Sequence, residues 1–261
     1  MYIKEMKPNE LEYFLNHART IGSGYFGRVL DLNDGDLVKV DKRLYRAVNP
    51  DYGDIYIPIK ELKKYNFYSH IDVNQIYYFS NVSKSIKHTK LPKGLLVCSN
   101  IPVGIILHNH INHVNLGDLT HVRKIELEHT NKDYITLYKE KNKMLVQSLK
   151  RLILCLKELE QHKISQNDLT YNYNSNREFN VLVKDSIPQI IDLDSSFVKY
   201  GNNYEDARYM YMEYARIIDI LDEIYNLRLS SSIKTSDIST YYNVEELYKE
   251  FKSKMKEKRL F

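Results

Sequence analysis

The chain has no tryptophan and only two cysteines among its 261 residues. It also lacks any strong excess of charge and any long apolar run, and each shortage excludes something. Cys98 and Cys155 each sit inside an apolar stretch, which suits core thiols in a reducing compartment and excludes a disulfide framework. No run approaches the ~18 apolar residues of a membrane span. The opening MYIKEMKPNE lacks the apolar core of a secretory leader. The expected location is therefore cytoplasmic, or an intracellular host compartment, with no membrane span. The 38 basic and 34 acidic residues leave a net charge of +4, too mild to argue for nucleic acid as a partner. What is present is ordinary for a globular chain: 43% hydrophobic and 28% charged residues, in a length that suits one large domain or two lobes. The 23 tyrosines and the abundance of Lys, Asn and Ile suit an AT-rich genome and say nothing about chemistry.

The most informative stretch is QNDLTYNYNSNREFNVLVKDSIPQIIDLD, residues 166–194. Two short apolar runs, residues 181–183 and 189–191, flank a turn with Asp and Pro, which predicts a β-hairpin. Asp168, Asn180 and Asp192 then gather near strand ends as a hard, oxygen-rich set. Such a set suits Mg²⁺ holding a polyphosphate, because Mg²⁺ takes one or two protein carboxylates and leaves its other positions to phosphate and water.

Nearer the start, residues 9–18 predict a short helix. The run Ile21-Gly22-Ser23-Gly24-Tyr25-Phe26-Gly27-Arg28-Val29 follows. A dinucleotide fold would open a helix at the last glycine. Here a strand, an Asn-Asp-Gly-Asp turn and a second strand come next, and Asp-Gly between alternating apolar residues is a strong hairpin signal. A glycine loop that closes a hairpin covers phosphates in protein kinases. The second strand holds Lys39 between Val38 and Val40. Residues 41–57 are expected to be irregular, and a helix is predicted over 58–71 with Glu61 as its only acid. Residues 75–80 and 94–98 read as strands. The Pro- and Gly-marked residues 99–104 read as a hinge between lobes, where Ser99 and Ile101 could offer backbone groups to an adenine. His108, His110, His113, His121 and His129 lack accompanying Cys or paired acids and read as solvated loop. Helical leucine spacing predicts a core helix over 141–161. Two further helices are predicted at about 207–227 and 244–259, with a Ser/Thr-rich link between them. The last of them has a basic face and is expected to dock on the body.

Together these motifs resemble the protein-kinase superfamily, in order from Gly22 to about Leu221. The segment GSGYFGRV matches the family's glycine-rich loop. Lys39 stands where the family's strand Lys contacts the α and β phosphates, and Glu61 stands where a helix Glu pairs with that Lys. The run from His162 to Leu169 resembles the lead-in and catalytic loop, with Asp168 as base. Asn180-Val-Leu-Val and Ile191-Asp192-Leu-Asp resemble the two metal-ligand motifs. The resemblance implies an α+β bilobal fold: an N-lobe over residues 1–100, with a small antiparallel sheet and one helix, and a reduced helical C-lobe over 101–261. It implies ATP and Mg²⁺ as cofactors. The activity it implies is phosphoryl transfer to a protein Ser/Thr hydroxyl, with a protein substrate as partner.

Several positions depart from the pattern. Gln166-Asn167 replaces His-Arg, Thr170 stands where Ser/Thr kinases carry a Lys near the γ-phosphate, and Tyr173 occupies the usual Asn position. Assigning the metal role to Asn180 implies an insertion over 171–179, with Asn172, Asn174 and Asn176 as alternatives. The triplet lacks its Gly, and the segment after Asp194 is too short for the usual peptide-docking stretch. Asn-Asp-Leu is also similar to choline and aminoglycoside kinases. A small-molecule kinase and a nucleotide-binding pseudokinase therefore remain open.

Overall fold

The computed structural model describes residues 1–23, 27–44, 57–63, 71–120, 132–170, 178–194, 198–205, 207–230 and 243–261. Gly24, Tyr25, Phe26, Asn172, Asn174, Asn176, His121, His129, most of the Ser/Thr-rich link, and parts of the expected 41–57 connection and 58–71 helix lie outside them. The fold is α+β, and the chain divides into two compact units. The first comprises Met1–Ser85 and Lys90–Ile111, and the second Ile86–Thr89 and Asn112–Phe261.

Unit 1 is built on a six-stranded sheet. Its strands are β1 (Tyr2–Met6), β2 (Thr20–Ser23), β3 (Gly27–Asp31), β4 (Asp36–Asp41), β5 (Gly94–Cys98) and β6 (Ile101–His108), in the order β1-β5-β6-β4-β3-β2. The sheet is mixed rather than purely antiparallel, because β1 runs parallel to β5. Helix α1 (Pro8–His17) starts with Pro at its first turn, where a missing N–H costs nothing, and Glu10 accepts the Lys7 N–H at 2.9 Å. Its Leu11 and Leu15 pack with Leu30, Val38, Val40, Leu96 and Ile106 into one buried cluster. Each such side chain contributes ~2 kcal/mol by leaving water.

Three expectations change here. Residues 75–80 are not a strand but part of helix α2 (Val73–Val82), whose Asp72 cap accepts the Asn74 and Gln75 N–H groups at 2.9 and 3.1 Å. The described beginning of the expected 58–71 helix is a 3-10 turn, Ile59–Glu61. Residues 99–104 are no hinge. Ser99 and Asn100, at φ 52 and 65, form a two-residue turn between β5 and β6, as left-handed residues do in tight hairpins. Pro102 falls where the β5–β6 register shifts, a position that tolerates a missing donor. Gly104 lets β4 approach, since a Cβ there would come to 2.8 Å of Val38 Cγ2. The whole of β6 therefore belongs to unit 1, and the chain leaves that unit after Ile111.

Unit 2 is organised by helix α3 (Lys132–Gln161). Its Leu145, Leu149, Leu152, Leu156 and Leu159 are all fully buried, as the spacing predicts. Strands β9 (Val181–Lys184) and β10 (Ile187–Ile190) form the expected hairpin, joined by β7 (Val114–Asn115). A second pair joins β8 (Ile164–Gln166) to β11 (Val198–Tyr200). Helices α4 (Arg208–Tyr225) and α5 (Val244–Glu257) complete the unit, and α5 docks through Leu247, Tyr248, Phe251 and Met255. No described helix is long and apolar enough to cross a membrane.

Two polar networks stitch unit 2 together. The Glu158 carboxylate accepts the N–H groups of Lys87 and His88, each at 2.7 Å, and the Cys155 thiol lies 3.1 Å from the His88 carbonyl. Burial pushes that thiol up to about 12, so it stays protonated. Gln189 Nε2 donates to the Thr89 hydroxyl at 2.9 Å. Elsewhere, the fully buried Asn142 takes the Tyr225 hydroxyl at 2.7 Å and donates to the Leu260 carbonyl at 2.8 Å. Asn142→Ala removes a hydrogen bond from both partners and is expected to cost about 2 kcal/mol, read as a lower midpoint in urea unfolding of the full chain.

Candidate active site

Unit 1 carries the glycine and lysine positions. Register pairs Gly22 with Val29, Val29 with Lys39, and Lys39 with Ile105. Directly paired residues share a sheet face, so these four form one row. Strand spacing puts the Lys39 backbone roughly 10 Å from Gly22. Val38 and Val40 point to the opposite face, into the buried cluster. Ile21 sits at the register shift of β2, and Ser23 pairs with Arg28.

The two described glycines of the loop serve different ends. A Cβ at Gly27 would meet the Val40 carbonyl at 2.5 Å, so the fold itself needs glycine there. Among the described residues a Cβ at Gly22 would meet nothing within 4 Å, so none of them requires that glycine for packing. Glu61 closes the 3-10 turn, its N–H donating to the Pro58 carbonyl at 2.8 Å. Its neighbours Ile59 and Leu62 pack in the cluster with Val38 and Val40. Ser99 and Ile101 lie at the start of β6, the end opposite its exit toward Ile111. His108 ends β6 rather than sitting in a loop, and burial, with Lys93 and Lys90 nearby, holds its imidazole down at about 4.

Unit 2 brings Asp168, Asn180 and Asp192 into one local structure. The Asn180 side-chain amide donates to the Asp168 carbonyl at 2.8 Å, which leaves Oδ1 as its acceptor end. The Asn180 N–H donates to the Leu169 carbonyl at 2.8 Å, and the Ile191 N–H donates to the Asn180 carbonyl at 3.0 Å. Asp192 follows at φ 58, a left-handed conformation that a non-glycine residue adopts at a cost and that clusters at functional sites. Asp168 is 4% exposed and its Oδ1 is a buried atom with no hydrogen-bond partner among the described residues. Burial, reinforced by the Asp192 charge, pushes its carboxyl up to about 7, while the Gln166 and Asn180 amides favour the charged form.

Three residues of this site escaped the sequence reading. Gln166, fully buried, accepts the Asp168 N–H at 2.8 Å. Asn115 brackets Phe179, taking its N–H at 3.0 Å and donating to its carbonyl at 2.7 Å, which fixes the residue before Asn180. Glu213 on α4 accepts both the N–H and the hydroxyl of Thr170, at 2.9 and 2.6 Å. The available signal for Glu213 was an acid on the apolar stripe of α4, between Met210 and Ile217. Asn167 donates to Glu205 at 3.1 Å.

No described group of three or more His, Cys, Asp or Glu side chains could hold a metal ion. The Asp192 carboxylate and the Asn180 amide oxygen fit Mg²⁺ only as a partial shell that phosphate and water complete. The chain matches no family model and no curated protein.

The raised Asp168 carboxyl makes a prediction about stability. Its unfolded value is near 3.8 and its folded value about 7, so the folded state holds the proton more tightly. The stability this carboxyl confers is complete below about pH 4, falls between about pH 4 and 7, and stays low above that. Asp168→Asn is expected to raise the urea midpoint in chelator-containing buffer at pH 8 and to leave it nearly unchanged at pH 4. An equal gain at both pH values would contradict the shift.

Proposed function

We propose that the protein is an ATP-dependent phosphotransferase of the protein-kinase type, transferring the γ-phosphoryl group to a hydroxyl, most simply a protein Ser/Thr. The observation that carries this reading is the local convergence of Asp168, Asn180 and Asp192, with a buried, unpartnered Asp168 oxygen. The open space at Gly22 among the described residues adds support, because a glycine that none of them packs against suits close approach of a phosphate.

Phosphoryl transfer asks a protein mainly for positioning and for charge opposite the phosphates. In this reading the backbone of residues 22–27 covers the phosphates, with Ile21 and Val29 beside the nucleotide. Lys39 anchors the α and β groups, and Glu61 is its partner acid. Asp192 and Asn180 would hold Mg²⁺, which would supply charge opposite the transferred phosphoryl group. Asp168 orients the acceptor hydroxyl and takes its proton as the new O–P bond forms and the bond to ADP breaks. A small-molecule acceptor is the second reading. It is favoured by the segment after Asp194, where Val198–Tyr200 is paired with β8 and Gly201–Asn203 is a 3-10 turn, leaving little chain to dock a peptide.

The test is incubation of the full chain with Mg²⁺ and γ-labelled ATP, following label on protein, on small molecules and as free phosphate. Asp168→Ala and Asp192→Ala should abolish transfer, and Lys39→Met should lower kcat/KM by about 10²–10³, the usual cost of removing one charge-stabilising group. Gly22→Ala should raise the KM for ATP without lowering the melting temperature. Tight nucleotide binding with no label transferred by the wild type would replace this reading with a pseudokinase.

A further inference from the structure

Glu213 is an acid where the packing calls for an apolar residue. It is 3% exposed, on the face of α4 that also buries Met210, Tyr214 and Ile217. An ionised carboxylate is kept in such a place only when it is well paired. One of its oxygens faces the Arg216 guanidinium, and the other receives both the backbone N–H and the hydroxyl of Thr170. Thr170 stands two residues beyond Asp168, with its backbone carbonyl neighbour Leu169 tied to the Asn180 N–H.

Consecutive parts of the loop are thus fixed from different elements. The Asp168 N–H is held by Gln166, its carbonyl by Asn180, the Leu169 carbonyl by Asn180, and Thr170 by Glu213. The Asp168 Oδ1 is left unpartnered. We propose that Glu213 and Thr170 form a positioning pair that sets the direction of the Asp168 carboxylate from α4. The Thr170 hydroxyl is committed to the loop and does not serve the transferred phosphoryl group, whose charge would fall to the cation. This proposal rests on the phosphotransferase reading.

A threonine is suited to the task because one short side chain presents its hydroxyl beside its own N–H, so a single carboxylate oxygen collects both donors. Serine offers the same two donors, whereas valine keeps the shape and loses one. Displacement of a reacting group by about 1 Å can cost 10²-fold in rate, so a small rotation of the loop registers in turnover before it registers in substrate affinity.

The experiment compares Thr170→Ser, Thr170→Val, Glu213→Gln and the Val/Gln double variant in the full chain. It measures kcat and the KM for ATP separately, together with amide hydrogen exchange at positions 168–170 and thermal unfolding. Thr170→Ser should stay within about twofold of wild type. Thr170→Val and Glu213→Gln should lower kcat by about 10- to 100-fold with little change in KM. The double variant should be no worse than the poorer single one, as for residues acting as a unit. Glu213→Gln should also speed exchange at position 170. Unchanged kcat in both single variants, or a loss that Thr170→Ser shares, overturns the proposal. If Glu213→Gln does not fold, Thr170→Val decides alone. Absence of phosphoryl transfer by the wild type would sink the functional reading instead. Exchange then decides the pair, and unchanged protection at position 170 in Glu213→Gln overturns it.

Discussion

The side chain and backbone of Asn180 hold three separate segments of unit 2 in register. Its amide takes the Asp168 carbonyl, its N–H takes the Leu169 carbonyl, and its own carbonyl receives the Ile191 N–H. A single residue thereby ties the loop after β8, the start of β9 and the turn after β10. Buried backbone groups must find partners, and each orphan costs about as much as a lost hydrogen bond. The loop cannot drift from the hairpin without leaving several such orphans at once. Asn115 reinforces the same point from β7 by bracketing Phe179.

That rigidity has an electrostatic side. The Asp168 carboxyl is raised chiefly because water is excluded from it, and further because the Asp192 and Glu213 charges lie near it. A fold selected only for stability would not gather these groups. The arrangement makes sense where a cation or a proton later relieves the repulsion, and local costs of this kind are typical of functional sites. Arg216 offsets part of the charge at Glu213 from a half-exposed position.

Elements with local signals were legible in the sequence, and elements with distant partners were not. The leucine spacing of α3, the β9–β10 hairpin and the Asp-Gly turn before β4 are written in neighbouring residues, and all appear in the structure. Strand β1 has no local partner. It pairs in parallel with β5, which lies far along the chain, so no turn announces it. Helix α2 was misread because Ile-Tyr-Tyr-Phe looks strand-like, although Asp72 ahead of Asn74 and Gln75 is a helix-cap signature. Pro102 and Gly104 looked like a crossing between lobes. In the structure one sits at a register shift and the other at a close strand contact, and only the pairing of β6 with β4 reveals this. At the candidate site, the meeting of Asp168, Asn180 and Asp192 near strand ends was readable from the hairpin pattern. Gln166, Asn115 and Glu213 were not, because their roles are bonds to backbone made across the fold rather than spacing along it.

The four residues Ile86–Thr89 give the chain an order of events. They interrupt unit 1, yet their partners, Glu158, Cys155 and Gln189, all belong to unit 2. During synthesis the sheet of unit 1 has all its strands once Ile111 has emerged. At that moment the Lys87 and His88 amides and the Thr89 hydroxyl still await groups 70 and 100 residues downstream. At a ribosomal pace of about 5–20 residues per second, the wait lasts on the order of 2–16 s. Ile86–Thr89 are thus made with the first unit but acquire their partners only with the second.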